Sequence, residues 1–126
     1  MSPERYVKNR PQNQRDNLLL YEINTRLHCH HLDQITLDEL RGLSAFGFDT
    51  VWLMGVWRIS DGARRLSRII SHDFAGSPYA IPEYQINPDL GGLPAFLSLV
   101  KRAHEAGLAV IVDFVSNHFA IDSPLI

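Results

Sequence analysis

Asp113 closes an almost unbroken apolar run, Leu108-Ala109-Val110-Ile111-Val112, and Asn117-His118 follow shortly after it. A carboxylate embedded in such a run costs free energy unless it is hydrogen-bonded or paired, so its position calls for a partner. In an extended chain Ile111, Asp113 and Val115 fall on one face, and Val110, Val112 and Phe114 on the other. A carboxylate, an amide and an imidazole gathered at one strand end can exchange hydrogen bonds with a ligand rich in hydroxyl groups. The plainer account of Asp113 is a carboxylate that caps a neighbouring loop.

Other residues compete for chemical roles. Trp57, just beyond the strand-like run Thr50-Val51-Trp52-Leu53-Met54, can offer a flat apolar surface to a ligand, whereas Trp52 inside that run reads as core. His72 and Asp73 stand near Tyr79 in the sequence, as a pair shaping a pocket or as surface residues. Arg58, Arg64, Arg65 and Arg68 could meet a phosphorylated or acidic ligand, although such runs are usually solvated loops. His28-Cys29-His30-His31 with Asp33 supplies zinc-type donors. Adjacent residues of an extended segment point to opposite sides, however, and zinc ligands are usually spaced by two or more residues. His104, beside Glu105, reads as a surface residue.

The elements that must position these groups follow from periodicity. Leu18-Leu19-Leu20-Tyr21-Glu22-Ile23 predicts a first strand. Thr36, with Glu39 three residues on, forms a capping-box pattern that starts a helix, and Leu37, Leu40, Leu43 and Phe46 give its apolar stripe. Gly47 is suited to end that helix in the left-handed conformation. Thr50 to Met54 predicts a second strand. Residues 55–90 form a connection far longer than usual, which points to a functional loop. A second helix opens at Leu93-Pro94, with Leu93, Phe96, Leu97, Val100 and Ala103 on one face and Gly107 closing it. Leu108 to Phe114 predicts a third strand buried on both sides. The order β-α-β-α-β implies right-handed crossovers in a parallel sheet, whose ligands bind beyond the carboxyl ends of the strands.

On these residues the sequence resembles a known family. Asp113-Phe114-Val115-Ser116-Asn117-His118 is similar to the D-x-V-x-N-H motif on the third strand of the α-amylase superfamily, glycoside hydrolase family 13-like. Gly47-Phe48-Asp49-Thr50-Val51-Trp52-Leu53 resembles its second-strand segment, and Tyr21-Glu22-Ile23-Asn24 its first strand. Gly76-Ser77-Pro78-Tyr79-Ala80-Ile81-Pro82-Glu83-Tyr84, with Asn87-Pro88-Asp89-Leu90-Gly91-Gly92, resembles the tyrosine-containing loop before the second helix. The resemblance spans residues 18 to 122. It departs in detail at Glu83, where an aspartate is common, and at Ser116 and Phe119.

The resemblance implies an α/β fold, the β-α-β-α-β parallel-sheet portion of a TIM (β/α)8 barrel, with residues 1–17 a flexible lead-in and 18–126 the N-terminal part of the catalytic barrel. It implies that His118 hydrogen-bonds the sugar beside the scissile bond and that Tyr79 lies under that ring. Asp113 would hold the site's hydrogen-bond network, together with an arginine from elsewhere. Asn117 matches a position that often contacts a structural calcium in full-length members, but one Asn without carboxylate companions cannot hold an ion that takes six to eight oxygens. Retaining glycosidases use two carboxylates about 5 Å apart, which the family takes from strands four and five, so no catalytic residue is expected in this chain. Barrels of this class need about 250 residues, and the chain is expected to be a piece of a longer enzyme or a truncated gene product.

The expected ligand is an α-glucoside or oligosaccharide. The alternative is a non-catalytic half-barrel that oligomerises or binds carbohydrate weakly. A nucleotide-binding α/β module is a third reading, but no glycine-rich phosphate turn follows Ile23 or Met54. A three-stranded sheet of this kind leaves two edges and an inner face uncovered, which predicts self-association burying Ile111, Val115 and Leu53. The 126 residues carry 45% apolar and 21% charged side chains and a formal charge of -2, which gives no basic field for nucleic acid. The polar start lacks the apolar run of a signal or membrane helix, and the single cysteine excludes an intrachain disulfide. A cytoplasmic setting without a resident cofactor is the expectation.

Overall fold

β-branched and aromatic residues dominate the segments that become strands, and the positions of turn-forming glycines set where the helices between them stop. The computed structural model describes residues 18–62, 65, 79, 81–114, 120 and 122–124. The lead-in expected at 1–17 lies outside the described residues. Strand β1 is Leu20–Asn24, followed directly by a single helical turn, α1, Thr25–His28. Helix α2 is Leu37–Phe46, strand β2 Thr50–Met54, helix α3 Gly92–Glu105 and strand β3 Ala109–Val112. Both strand pairs are parallel and the sheet order is β1-β2-β3, the expected crossover topology.

The start of α2 differs from the expected box in one respect. Thr36 caps it, its hydroxyl accepting the Glu39 N–H at 3.2 Å. The Glu39 carboxylate, however, does not reach back to Thr36: it meets His28 Nε2 at 2.5 Å, tying α2 to the end of α1. Gly47 ends the helix at φ 114°, a conformation that a Cβ would strain. Phe46 is 85% exposed and stacks on Phe48, which meets Tyr21 edge-on, so the stripe expected from Leu37 to Phe46 buries only its first three members to any degree.

Register decides which side of the sheet each residue faces. Tyr21 stands level with Val51 and Val110, and Ile23 with Leu53 and Val112, all on the face that the helices cover. Ile23, Val51 and Leu53 are buried there against Leu32, Ile35, Leu40, Leu99 and Ala103. Each such fully buried aliphatic side chain contributes about 1.5–3 kcal/mol. Leu53 therefore cannot join a self-association surface as expected, because the chain's own helices already cover it.

α3 also sits rotated from its expected orientation. Its buried residues are Ala95, Leu99 and Ala103, whereas Leu93 and Leu97 are 56% and 50% exposed and Phe96 packs only partly. Two alanines in that line let the helix axis come close to the sheet, so the small residues turn inward and the larger ones flank the contact. Arg102 fastens the helix to the preceding turn by donating to the carbonyls of Leu32 and Ile35 at 3.0 and 3.1 Å.

The opposite face of the sheet carries Leu20, Glu22, Trp52 and Ile111, with Asp113 following in the same alternation. No described helix lies over it, and Leu20 and Ile111 are each 46% exposed. In a barrel this is the interior-facing side.

Candidate functional site at the carboxyl ends of the strands

The three strand ends are locked to one another by side chains. The Thr25 hydroxyl, fully buried, donates to the Met54 carbonyl at 2.9 Å and joins the end of β1 to that of β2. Asn24 stays at the mouth by capping α1, its Oδ1 accepting the Arg26 N–H.

Beyond β2 the chain doubles back on itself. Trp57 forms an antiparallel bridge with Ile86, flanked by Arg58 N–H to the Gln85 carbonyl and Asn87 N–H to the Val56 carbonyl, both at 2.8 Å. The long connection therefore leaves and returns at the same place, and its ends are fixed beside the mouth. Further ties hold it. Arg58 pairs with Glu83 at 3.1 Å, and the Ser60 hydroxyl donates to Asp122 Oδ1 at 2.5 Å while the Gly62 N–H donates to Oδ2 at 3.0 Å. Ala120 N–H donates to the Ile81 carbonyl, and the Ser123 hydroxyl to that of Pro82. Segments 58–62 and 81–85 and the residues Ala120, Asp122 and Ser123 thus form one clasp. The Ser60 hydroxyl, then the Gly62 N–H and to a lesser extent Arg58, hold the Asp122 carboxyl below its ordinary value.

Asp113 is the hub of the site. Its Oδ1 accepts the Trp52 indole N–H at 2.8 Å and its main-chain carbonyl accepts the Trp57 indole N–H at 2.7 Å. Oδ2 is sealed from solvent and has no hydrogen-bond partner among the described residues. Tyr79 stands half-buried beside this carboxylate. Burial first, then the negative charge and hydrogen bonding of Asp113, then the charge of Glu22, push its phenol above the ordinary value. Tyr79, Asp113 and Glu22 therefore share one electrostatic environment. On its outer flank Tyr84 meets Trp57 edge-on, with ring centroids 5.0 Å apart, and leans on Phe114 at 4.7 Å.

Of the residues expected at the site, Tyr79, Asp113 and Trp57 are brought together; Asn117 and His118 lie outside the described residues. Trp57 spends its N–H on the Asp113 carbonyl and meets Tyr84 in a T-shaped contact, so it serves as much to build the wall as to line it. Trp52, expected in the core, is half-buried on the open face instead. Its side follows from Leu53: once Leu53 faces the helices, alternation sends its neighbour the other way. Glu22 was a further omission, and it follows from the same parity. His72 and Asp73 lie outside the described residues, as do Arg64 and Arg68, while Arg58 is engaged by Glu83 and sits 4.0 Å from Asp61.

The histidine-rich stretch divides its side chains among separate tasks. His28 pairs with Glu39, the Cys29 thiol donates to the Thr25 carbonyl, and His31 Nδ1 accepts the Asp33 N–H to cap the turn Leu32–Gln34. No group of three His, Cys, Asp or Glu able to hold a metal ion occurs among the described residues.

Comparison with known proteins agrees with this architecture. The family described as "Alpha amylase, catalytic domain" matches residues 29–124. Alpha-amylase MalA of Haloarcula japonica is 25% identical over 86% of this chain and 15% of its own length. An alpha-1,4-glucan:maltose-1-phosphate maltosyltransferase of Rhodospirillum rubrum is 36% identical over 68% of this chain and 14% of its own. Among solved structures, an alpha-amylase from Lactobacillus plantarum superposes with a TM-score of 0.72 at 33% identity, over 86% of this chain and 25% of that one. The chain thus spans about a seventh of the length of these sequence relatives. With its parallel strands, its strand-end mouth and a match across most of its length, the chain belongs to the alpha-amylase catalytic-domain family and forms a portion of that family's TIM barrel.

Proposed function

We propose that this chain supplies one wall of a sugar-binding subsite in a retaining enzyme that processes α-glucans or α-glucosides by hydrolysis or glycosyl transfer. The observation that carries this reading is the convergence of Tyr79 and Asp113 at the carboxyl end of a parallel sheet. Tyr79 gives an apolar ring suited to the C–H face of a hexose, and Asp113, half-buried beside it, holds the hydrogen-bond network behind that ring. The nucleophile and the acid/base come from elsewhere in the barrel, so the 126-residue chain alone binds a maltooligosaccharide without cleaving it.

Calorimetric titration with maltotriose tests this. Binding in the millimolar range, about -4 kcal/mol, lost on Tyr79→Ala and unaccompanied by release of reducing sugar, is the expected result. Affinity unchanged by Tyr79→Ala would contradict the reading.

A second reading concerns the chain in isolation: it self-associates through the open sheet face. Exposed Leu20 and Ile111 and the two strand edges favour this. Light scattering across a concentration series should show a mass above that of one chain, and a constant monomer mass would overturn it.

A further inference from the structure

Two indoles grip one residue. Trp52 stands level with Ile111 in the parallel register, and Asp113 follows two positions later on the same face. That diagonal spacing, about 7–8 Å between such neighbours, suits a long aromatic side chain reaching across the strands. The indole N–H is a donor only, so Trp52 can meet the Asp113 carboxylate in one way, by giving its proton to Oδ1. Trp57 holds the main-chain carbonyl of the same residue from the loop side. Side chain and backbone of Asp113 are thereby fixed independently, and Oδ2 is left as the unspent acceptor of the carboxylate among the described residues.

We propose that Trp52 is a positioning residue: its indole N–H sets the rotation of the Asp113 carboxylate, holding Oδ1 to β2 and leaving Oδ2 without a partner among the described residues. A hydrogen bond to a carboxylate is stronger than one between neutral groups, which suits the indole N–H as a tether. Tyr79 feels that charge, and the fixed carboxylate therefore also fixes the electrostatic setting of the proposed platform. The consequence for ligand affinity rests on the sugar-binding reading given above; the tether does not.

The chain has only two tryptophans, so a 15N-labelled sample gives two indole N–H signals, one for each arm of the grip. Asp113→Asn keeps the shape and the main-chain carbonyl but removes the charge. It should displace the Trp52 signal several-fold more than that of Trp57, which serves as the internal control. Trp52→Phe keeps the ring and removes the donor, and should weaken maltotriose binding about fivefold to tenfold, the loss of one charge-assisted hydrogen bond. A Trp52 signal indifferent to Asp113→Asn, or a folded Trp52→Phe chain that binds as tightly as the parent, overturns the proposal. A parent chain that binds no maltotriose, yet whose Trp52 signal follows Asp113, contradicts the sugar reading and supports the tether.

Discussion

Cys29 is buried, its thiol donates to the Thr25 carbonyl, and burial, helped by the charge of Glu39 and opposed by a backbone hydrogen bond from His31, pushes its ionisation above the ordinary value. Only the thiolate reacts readily, so the native chain should resist a disulfide-exchange reagent at neutral pH and react at the free-thiol rate once denaturant unfolds it. A fast reaction in the native state would contradict this placement. Tyr79 gives a second test at the same scale. Its raised folded-state value means that the fold favours the neutral phenol. That contribution is complete below the unfolded value near 10 and is lost as pH climbs through the folded one, so denaturant midpoints should fall above about pH 10. Tyr79→Phe should flatten part of that fall. Asp113 was legible from sequence because a carboxylate stands out in an apolar run. Trp52 was not, because an aromatic in a strand suits either face, and only the pairing with β1 and β3 fixes which side it takes.

Local signals located the helices, but their rotation and their neighbours required the assembled sheet. Thr36 and Gly47 marked the ends of α2 through hydrogen-bonding and backbone geometry that belong to the chain itself. The buried line of α3, Ala95, Leu99 and Ala103, shares only Ala103 with the expected stripe, because alanines on either side of Leu99 permit close approach to the strands. Gly91, which precedes α3 at φ 102°, offers a sharper test: a Cβ there would lie 2.5 Å from the His31 ring and from Ala95 Cβ. Gly91→Ala should cost about 2–4 kcal/mol in urea unfolding, combining backbone strain with overpacking. The clasp is the other testable element, and no pattern in the sequence announced it, since Ser60 and Asp122 are far apart in the chain. Because Asp122 is held below its ordinary value, its contribution is present above the unfolded value near 3.9 and is lost as pH falls through the folded one. Asp122→Asn should lessen the acid sensitivity of the contact between Asp122 and segment 58–62, read by hydrogen exchange at Gly62.

At the scale of the molecule, one face of the sheet is a finished core and the other awaits cover. Parallel topology and the alternation of strands and helices were readable because each element carries its own period. Which face remained open was only half readable: Ile111 was placed correctly on it, and Leu53 was not, since its burial depends on helices that reach it from distant parts of the chain. The open face bears Glu22 beside Leu20, Trp52 and Ile111, so stacking two copies face to face would bring like charges near one another. Self-association should therefore strengthen with added salt, and Glu22→Gln should raise the associated fraction in sedimentation experiments. The central claim is that the mouth beside Tyr79 and Asp113 receives a glucan. Mapping backbone and indole NMR signals during a maltotriose titration tests it most directly. Shifts concentrated at Tyr79, Asp113, Trp52 and Trp57, saturating at millimolar sugar, are predicted; shifts confined to the outer surface of α2 and α3, or none at concentrations on the order of 50 mM, well above a millimolar dissociation constant, would contradict it.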